Sequence, residues 1–116
     1  MTYQPLDIEG RQRQIEAQAK REKERERKVR QEFRRRMQNR EGRRDVWRAM
    51  ERSGMFSYAF EPDTAKLAHR EGKREEGLYL HWMILQNCPQ LYPVMMEEMV
   101  KELIDERNSN NAGADE

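Results

Sequence analysis

Two histidines, one cysteine and a dense run of arginines are the residues of this chain with chemistry to offer. His69 and His81 stand twelve residues apart, with no ligand-type residue at helical spacing that completes a metal pair. HExxH and CxxC patterns are both missing, and no carboxylate quartet is present, so neither a zinc nor a di-metal site is expected. His69, in LAHREG, suits an exposed helix face, and His81 beside Trp82 suits packing. Cys88 has no activating neighbour and reads as a small apolar filler. Gly72-Lys73 resembles the end of a phosphate loop, but no glycine stands five residues before Gly72 and no Ser/Thr follows Lys73. No catalytic residue, metal or cofactor is expected, and the chain reads as a non-enzyme.

The arginines remain. Residues 27–44 carry nine cations: Arg27, Lys28, Arg30, Arg34, Arg35, Arg36, Arg40, Arg43 and Arg44, against only two glutamates. Guanidinium forks suit phosphate and carboxylate partners, so this run is the leading nucleic-acid or partner-binding candidate. Phe33 is the single ring among them, so any contact with nucleic acid would follow phosphates rather than read bases. A possible second patch is Arg70, Lys73 and Arg74, set among Glu71, Glu75 and Glu76; a solvated, salt-bridged face is its ordinary explanation.

Those side chains must be positioned by helices. Residues 11–41 hold neither proline nor glycine before Gly42, and the stretch KREKERERK at 20–28 has no apolar residue. Opposite charges at i,i+4, such as Lys20/Glu24 and Glu24/Lys28, support a solvated helix. Val29, Phe33 and Met37 are spaced to dock one end of it on a core. Glu41-Gly42 is expected to break this arm. A second helix starts near Arg43, with Val46, Trp47 and Met50 on one face and Gly54 as its stop. The alternating rings Phe56, Tyr58 and Phe60 are read as a loop that plugs the core. Asp63 caps a third helix of about 24 residues, on which Gly72 and Gly77 serve as contact points, and Asn87-Cys88-Pro89 ends it. Pro93 suits the first position of a fourth helix, whose inner face is Met95, Met96, Met99, Leu103 and Ile104. The expected core is Trp47, Phe56, Phe60, Leu78, Trp82, Leu85 and Met99.

The fold class is thus all-α: a small domain of about three helices preceded by a long charged N-terminal helix. Residues 1–10 form a flexible leader, 11–41 the basic arm, 42–107 the compact domain, and 108–116 a disordered acidic tail. Composition agrees. Across 116 residues, 39% are charged and 35% hydrophobic, with a mean hydropathy of −1.26, too polar for one core to enclose the whole length. The near-neutral total conceals a gradient. Residues 1–44 carry 15 Lys/Arg against 8 Asp/Glu, a net of +7, while residues 89–116 carry 2 against 7, a net of −5. No apolar run is long enough for a membrane span, and no apolar leader marks a secretory signal. The lone cysteine fits a reducing compartment.

Between residues 40 and 90 a pattern recurs as a set. It comprises Gly42-Arg43-Arg44, Trp47, Ser53-Gly54-Met55-Phe56, Asp63-Thr64, Arg70-Glu71-Gly72-Lys73-Arg74 and Gly77-Leu78-Tyr79-Leu80. It resembles a small domain family of tailed bacteriophages and prophages, named after a protein of a Bordetella podophage. Pro93 departs from the Asp-Pro-opened last helix that the resemblance implies. The resemblance implies a phage origin and a place among virion or assembly genes; it does not imply a catalytic mechanism.

The resulting expectation is a virion or head-assembly component in the virion or host cytoplasm. Its domain docks on a phage structural protein (portal, capsid or tail) near the head–tail junction, and its arm faces DNA or an acidic protein surface. A small domain with an apolar last helix is also expected to self-associate. The alternative is a sequence-nonspecific DNA-binding accessory of packaging or regulation, in a role like that of a small terminase subunit. A third class is a modulator of host enzymes. The glutamates at 22, 24, 26 and 32 mix both signs along the arm and favour protein over DNA.

Overall fold

Helix-forming sequence interrupted by few breakers gives a chain of four helices. The computed structural model describes residues 7–57 and 60–114. Helix α1 spans Ile8–Met37, α2 Arg40–Arg52, α3 Thr64–Asn87 and α4 Leu91–Ala114, and the described residues contain no strand. The fold is all-α, with the long charged N-terminal helix in place. Two units divide after Glu32. Tyr58, expected to plug the core, and residues 1–6 of the expected leader lie outside the described residues.

The first unit holds most of α1. Asp7 opens the helix: its carboxylate accepts the Gly10 amide at 2.9 Å, so helix begins three residues before the expected Arg11. From Arg11 to Glu32 every side chain is exposed, Ile15 and Val29 included. Val29, expected to be covered, is exposed, whereas Phe33 and Met37, in the second unit, are buried in its core.

In the second unit the chain turns at Gln38-Asn39 rather than at Glu41-Gly42. Asn39 is extended (φ −116°, ψ 159°) and its side chain accepts the Gly42 amide at 2.7 Å, which starts α2 at Arg40 instead of Arg43. Gly42 is no breaker. It is buried in the first turn of α2, and a Cβ there would collide with the backbone carbonyl oxygen of Arg36. At the other end, Gly54 (φ 78°) donates to Glu51 and stops α2, as the sequence predicts.

Asp63 caps α3 by accepting from the Lys66 amide at 3.0 Å, and the helix runs unbroken for 24 residues. Of the two glycines expected to make contacts, only Gly77 does. Added atoms there would strike the Ser53 side chain, whereas Gly72 faces open space. Cys88 closes α3, its amide reaching the Ile84 carbonyl at 2.8 Å. Helix α4 starts at Leu91, so Pro93 takes its third position; a first-turn residue needs no amide, and proline is tolerated there. The same helix continues through 108–114, where composition suggests an acidic tail. Residues 103–113 are exposed throughout, so helical backbone persists there without burying anything.

The core is a methionine seam. Phe33 and Met37 from the end of α1, Val46 and Met50 from α2, Met83, Ile84 and Cys88 from α3, and Met95 from α4 are buried together. Met99 is buried too, and Trp47, Met55, Leu80, Leu91 and Tyr92 lean on this seam. Most of the expected core is overturned. Met99 is buried and Trp47 partly so, but Phe56, Phe60, Leu78, Trp82 and Leu85 are exposed. The physical reason is a rotation of α3. Gly77, Leu80, Met83 and Ile84 face α2 because Ser53 approaches at Gly77, and that turns Leu78, Trp82 and Leu85 outward. Unbranched methionines fill the resulting narrow seam better than rings would. On α4 the inner face is Met95 and Met99, with Met96, Leu103 and Ile104 exposed.

Candidate functional site

The nine cations of 27–44 separate into three groups. On α1, Arg27 pairs with Glu24, while Lys28 and Arg30 are exposed. That hydrogen bond and the Arg27 charge hold the Glu24 carboxyl below the usual range, and Glu24 raises the Arg27 guanidinium in turn. In the second unit, Arg34 donates to Asn87 Oδ1 at 3.4 Å, and Arg35 and Arg36 are exposed on the last turns of α1.

The third group faces carboxylates of α4. Arg43 donates from Nε to Glu98 Oε1 at 2.9 Å, brings Nη2 to the same oxygen at 2.7 Å, and caps the Met37 carbonyl with Nη1 at 2.8 Å. The Arg43 and Glu98 side chains are 12% and 16% exposed. Arg44 meets Glu102 at 3.3 Å, and Arg40 stands 4.0 Å from Glu98. One guanidinium thus ties the end of α1 to α4 across α2. Arg43 and Arg44, read from sequence as binding cations, pair with carboxylates of α4 here, while the Arg40 side chain stays half exposed. A pair separated by 55 residues leaves no local pattern that could have shown this.

The second patch is brought together. Arg70, Lys73 and Arg74 share a face of α3, where Arg70 pairs with Glu61 at 3.7 Å. They border a cleft of about 540 Å³ that also takes in Arg52, Ser53, Gly54, Ser57 and Phe60. His69 is exposed, and His81 packs edge-on against Tyr92 with 5.1 Å between ring centroids. Cys88 is buried, which pushes its thiol up; the nearby Arg34 charge opposes that less strongly. Among the described residues, no group of His, Cys, Asp or Glu is arranged to hold a metal ion, and no helix is long and apolar enough to cross a membrane.

What sequence reasoning missed is the uncovered apolar stripe of α3. Leu78, Trp82 and Leu85 recur at i, i+4 and i+7 on α3, with Trp82 52% exposed and stacked near Tyr79 at 6.2 Å. Met96, Val100 and Leu103 repeat the same spacing on α4, beside Ile104. Both stripes are visible in the sequence, but spacing alone does not tell which stripe of a helix faces inward.

A family model for Bbp19-like phage proteins matches residues 33–97, more than half of the chain. The chain belongs to the Bbp19-like phage protein family. The match begins at Phe33, the first core residue, and ends two residues short of Met99, so the family's domain is the packed seam itself. It extends beyond the 40–90 of the sequence resemblance at both ends, and takes in the last turns of α1 and the opening of α4. The first unit and the second half of α4 lie outside this Bbp19-like domain. Comparison with curated proteins and with solved structures gives no significant match.

Proposed function

We propose that this Bbp19-like chain is a non-catalytic phage assembly component, in the virion or host cytoplasm. It docks through the outer faces of α3 and α4 on a portal, capsid or tail protein of the same phage. The observation that carries the reading is the outward stripe of Leu78, Trp82 and Leu85 on α3, half-exposed in a domain whose own core is already filled. Contiguous exposed apolar side chains that include a tryptophan and a tyrosine are the composition of a protein interface rather than of a solvated face. Phage family membership is consistent with a partner that the phage supplies. Without its partner, the same face drives weak self-association of the isolated chain.

In this reading the charged length of α1 also contacts protein. Its cations alternate with Glu22, Glu24, Glu26 and Glu32, and the Glu24–Arg27 pair shows one cation already matched within the helix. The alternative, a DNA-binding accessory, is supported by the exposed Arg34, Arg35 and Arg36.

Particles purified from phage-producing cells test the proposal. Quantitative mass spectrometry should find the chain in mature particles or in assembly intermediates. A Leu78→Ser/Trp82→Ser/Leu85→Ser variant that melts like wild type should be missing from them. A chain absent from every particle fraction, or a triple variant incorporated normally, would overturn it.

A further inference from the structure

The cleft between the α2–α3 loop and α3 is separate from the docking face and has a different chemistry. Arg52, at the end of α2, meets Arg70, Lys73 and Arg74 across it, and Phe60 and Leu67 form an apolar stretch of wall. Four cations therefore line it against two carboxylates, Glu61 and Glu71. Glu61 is engaged locally, since it accepts the Asp63 amide at 3.2 Å and pairs with Arg70 at 3.7 Å. Two positive charges in excess converge on a space of about 540 Å³, within the range of about 300–1,000 Å³ that small ligands occupy. A second observation points the same way. Among the described residues Arg74 Nε is buried without a hydrogen-bond partner, on a side chain that lines the cleft. A third is Phe60, which is 82% exposed on the cleft wall, where a ring is available for stacking.

We infer that this cleft binds a phosphate group carrying a planar base, as in a nucleotide or one unit of a single strand. Guanidinium forks and a lysine match phosphate oxygens, and the Phe60 ring offers a stacking surface for the base. A carboxylate side chain would satisfy the charge but would leave the ring without a counterpart.

Titration of the ¹⁵N-labelled full chain tests this, followed by amide and arginine Nε resonances. The probes are pyrophosphate, adenosine, adenosine monophosphate and a short single-stranded oligonucleotide. The phosphate-bearing probes should shift Gly54, Arg70, Lys73 and Arg74, and adenosine at the same concentration should not. Lys73→Gln, at an exposed position that leaves the fold alone, should weaken binding by about tenfold, and Arg74→Gln by at least as much. Phe60→Ala should weaken the adenosine monophosphate complex and spare pyrophosphate. Saturation by the mononucleotide would make a free nucleotide the ligand, and saturation by the oligonucleotide alone would make it a strand. No shift with any phosphate probe at millimolar concentration would overturn the inference, as would shifts that Lys73→Gln leaves unchanged.

Discussion

Trp82 and Ile84 are two positions apart on α3 and have opposite duties. Ile84 is fully buried in the methionine seam, and Trp82 lies half in solvent. Ile84→Ala should cost about 2–5 kcal/mol, because it removes packed atoms and leaves a cavity. Trp82→Ala should cost about 1 kcal/mol or less, since about half of the side chain stays in solvent and it is not part of the buried seam. Denaturant melts of the two variants decide between this core and an aromatic one: a larger loss for Trp82→Ala would mean that the rings are the core. Expecting the rings to be buried follows from their size, and the actual choice depends on where Gly77 lets Ser53 approach, which no local spacing encodes. Cys88 gives a second residue-scale outcome. Burial raises its thiol, so as pH rises the unfolded chain loses this proton before the folded one. The stabilising contribution is complete below the ordinary thiol range and fades as pH climbs through the folded value. A thiol-reactive dye at mildly alkaline pH should label native protein slowly and denatured protein quickly, and equal rates would mean that the thiol is not buried.

At the scale of elements, the sequence was legible at three helix ends, whereas the caps at Asp7 and Asn39 went unseen. Asp63, Gly54 and the Cys88-Pro89 stop sit where turn chemistry puts them, and the 24-residue α3 follows. The α1–α2 junction was misread because glycine has two uses. At Gly42 it permits contact with the Arg36 carbonyl, and the break belongs to Asn39. Gly42→Ala should therefore destabilise by about 1–3 kcal/mol, because backbone must move to admit the methyl. Gly72→Ala, in open space on a helix, should stabilise by about 0.5–1 kcal/mol. Thermal melts with both changes in the same direction would contradict this assignment. The charged helix has its own test. If its mixed signs face protein, anisotropy titration with duplex DNA at about 50 mM salt, where the Debye length is about 14 Å, should show no binding at micromolar protein. Tight binding with a log–log salt slope near about −5 would instead mean that about six phosphates are neutralised, and would favour the DNA-binding alternative.

The whole molecule combines a filled internal seam with apolar faces that its own helices leave bare. Arg43, held between the Met37 carbonyl and Glu98, links the last turn of α1 to α4 within the second unit. The family match covers this packed part and stops near Met99, which leaves the far half of α4 with Val100, Leu103 and Ile104 exposed. Membership in a phage family was legible from the co-occurring motifs of 42–80. The outward stripe of α3 was not, because a stripe at i, i+4, i+7 looks the same whether a core or a partner covers it. A photo-crosslinking amino acid at position 85, on that stripe, tests the central claim most directly when the chain is expressed during phage production. Illumination should give one dominant adduct, which mass spectrometry identifies as a portal, capsid or tail protein, while the same label at exposed Gly72 gives none. No adduct from position 85, or adducts with host proteins alone, would contradict the account.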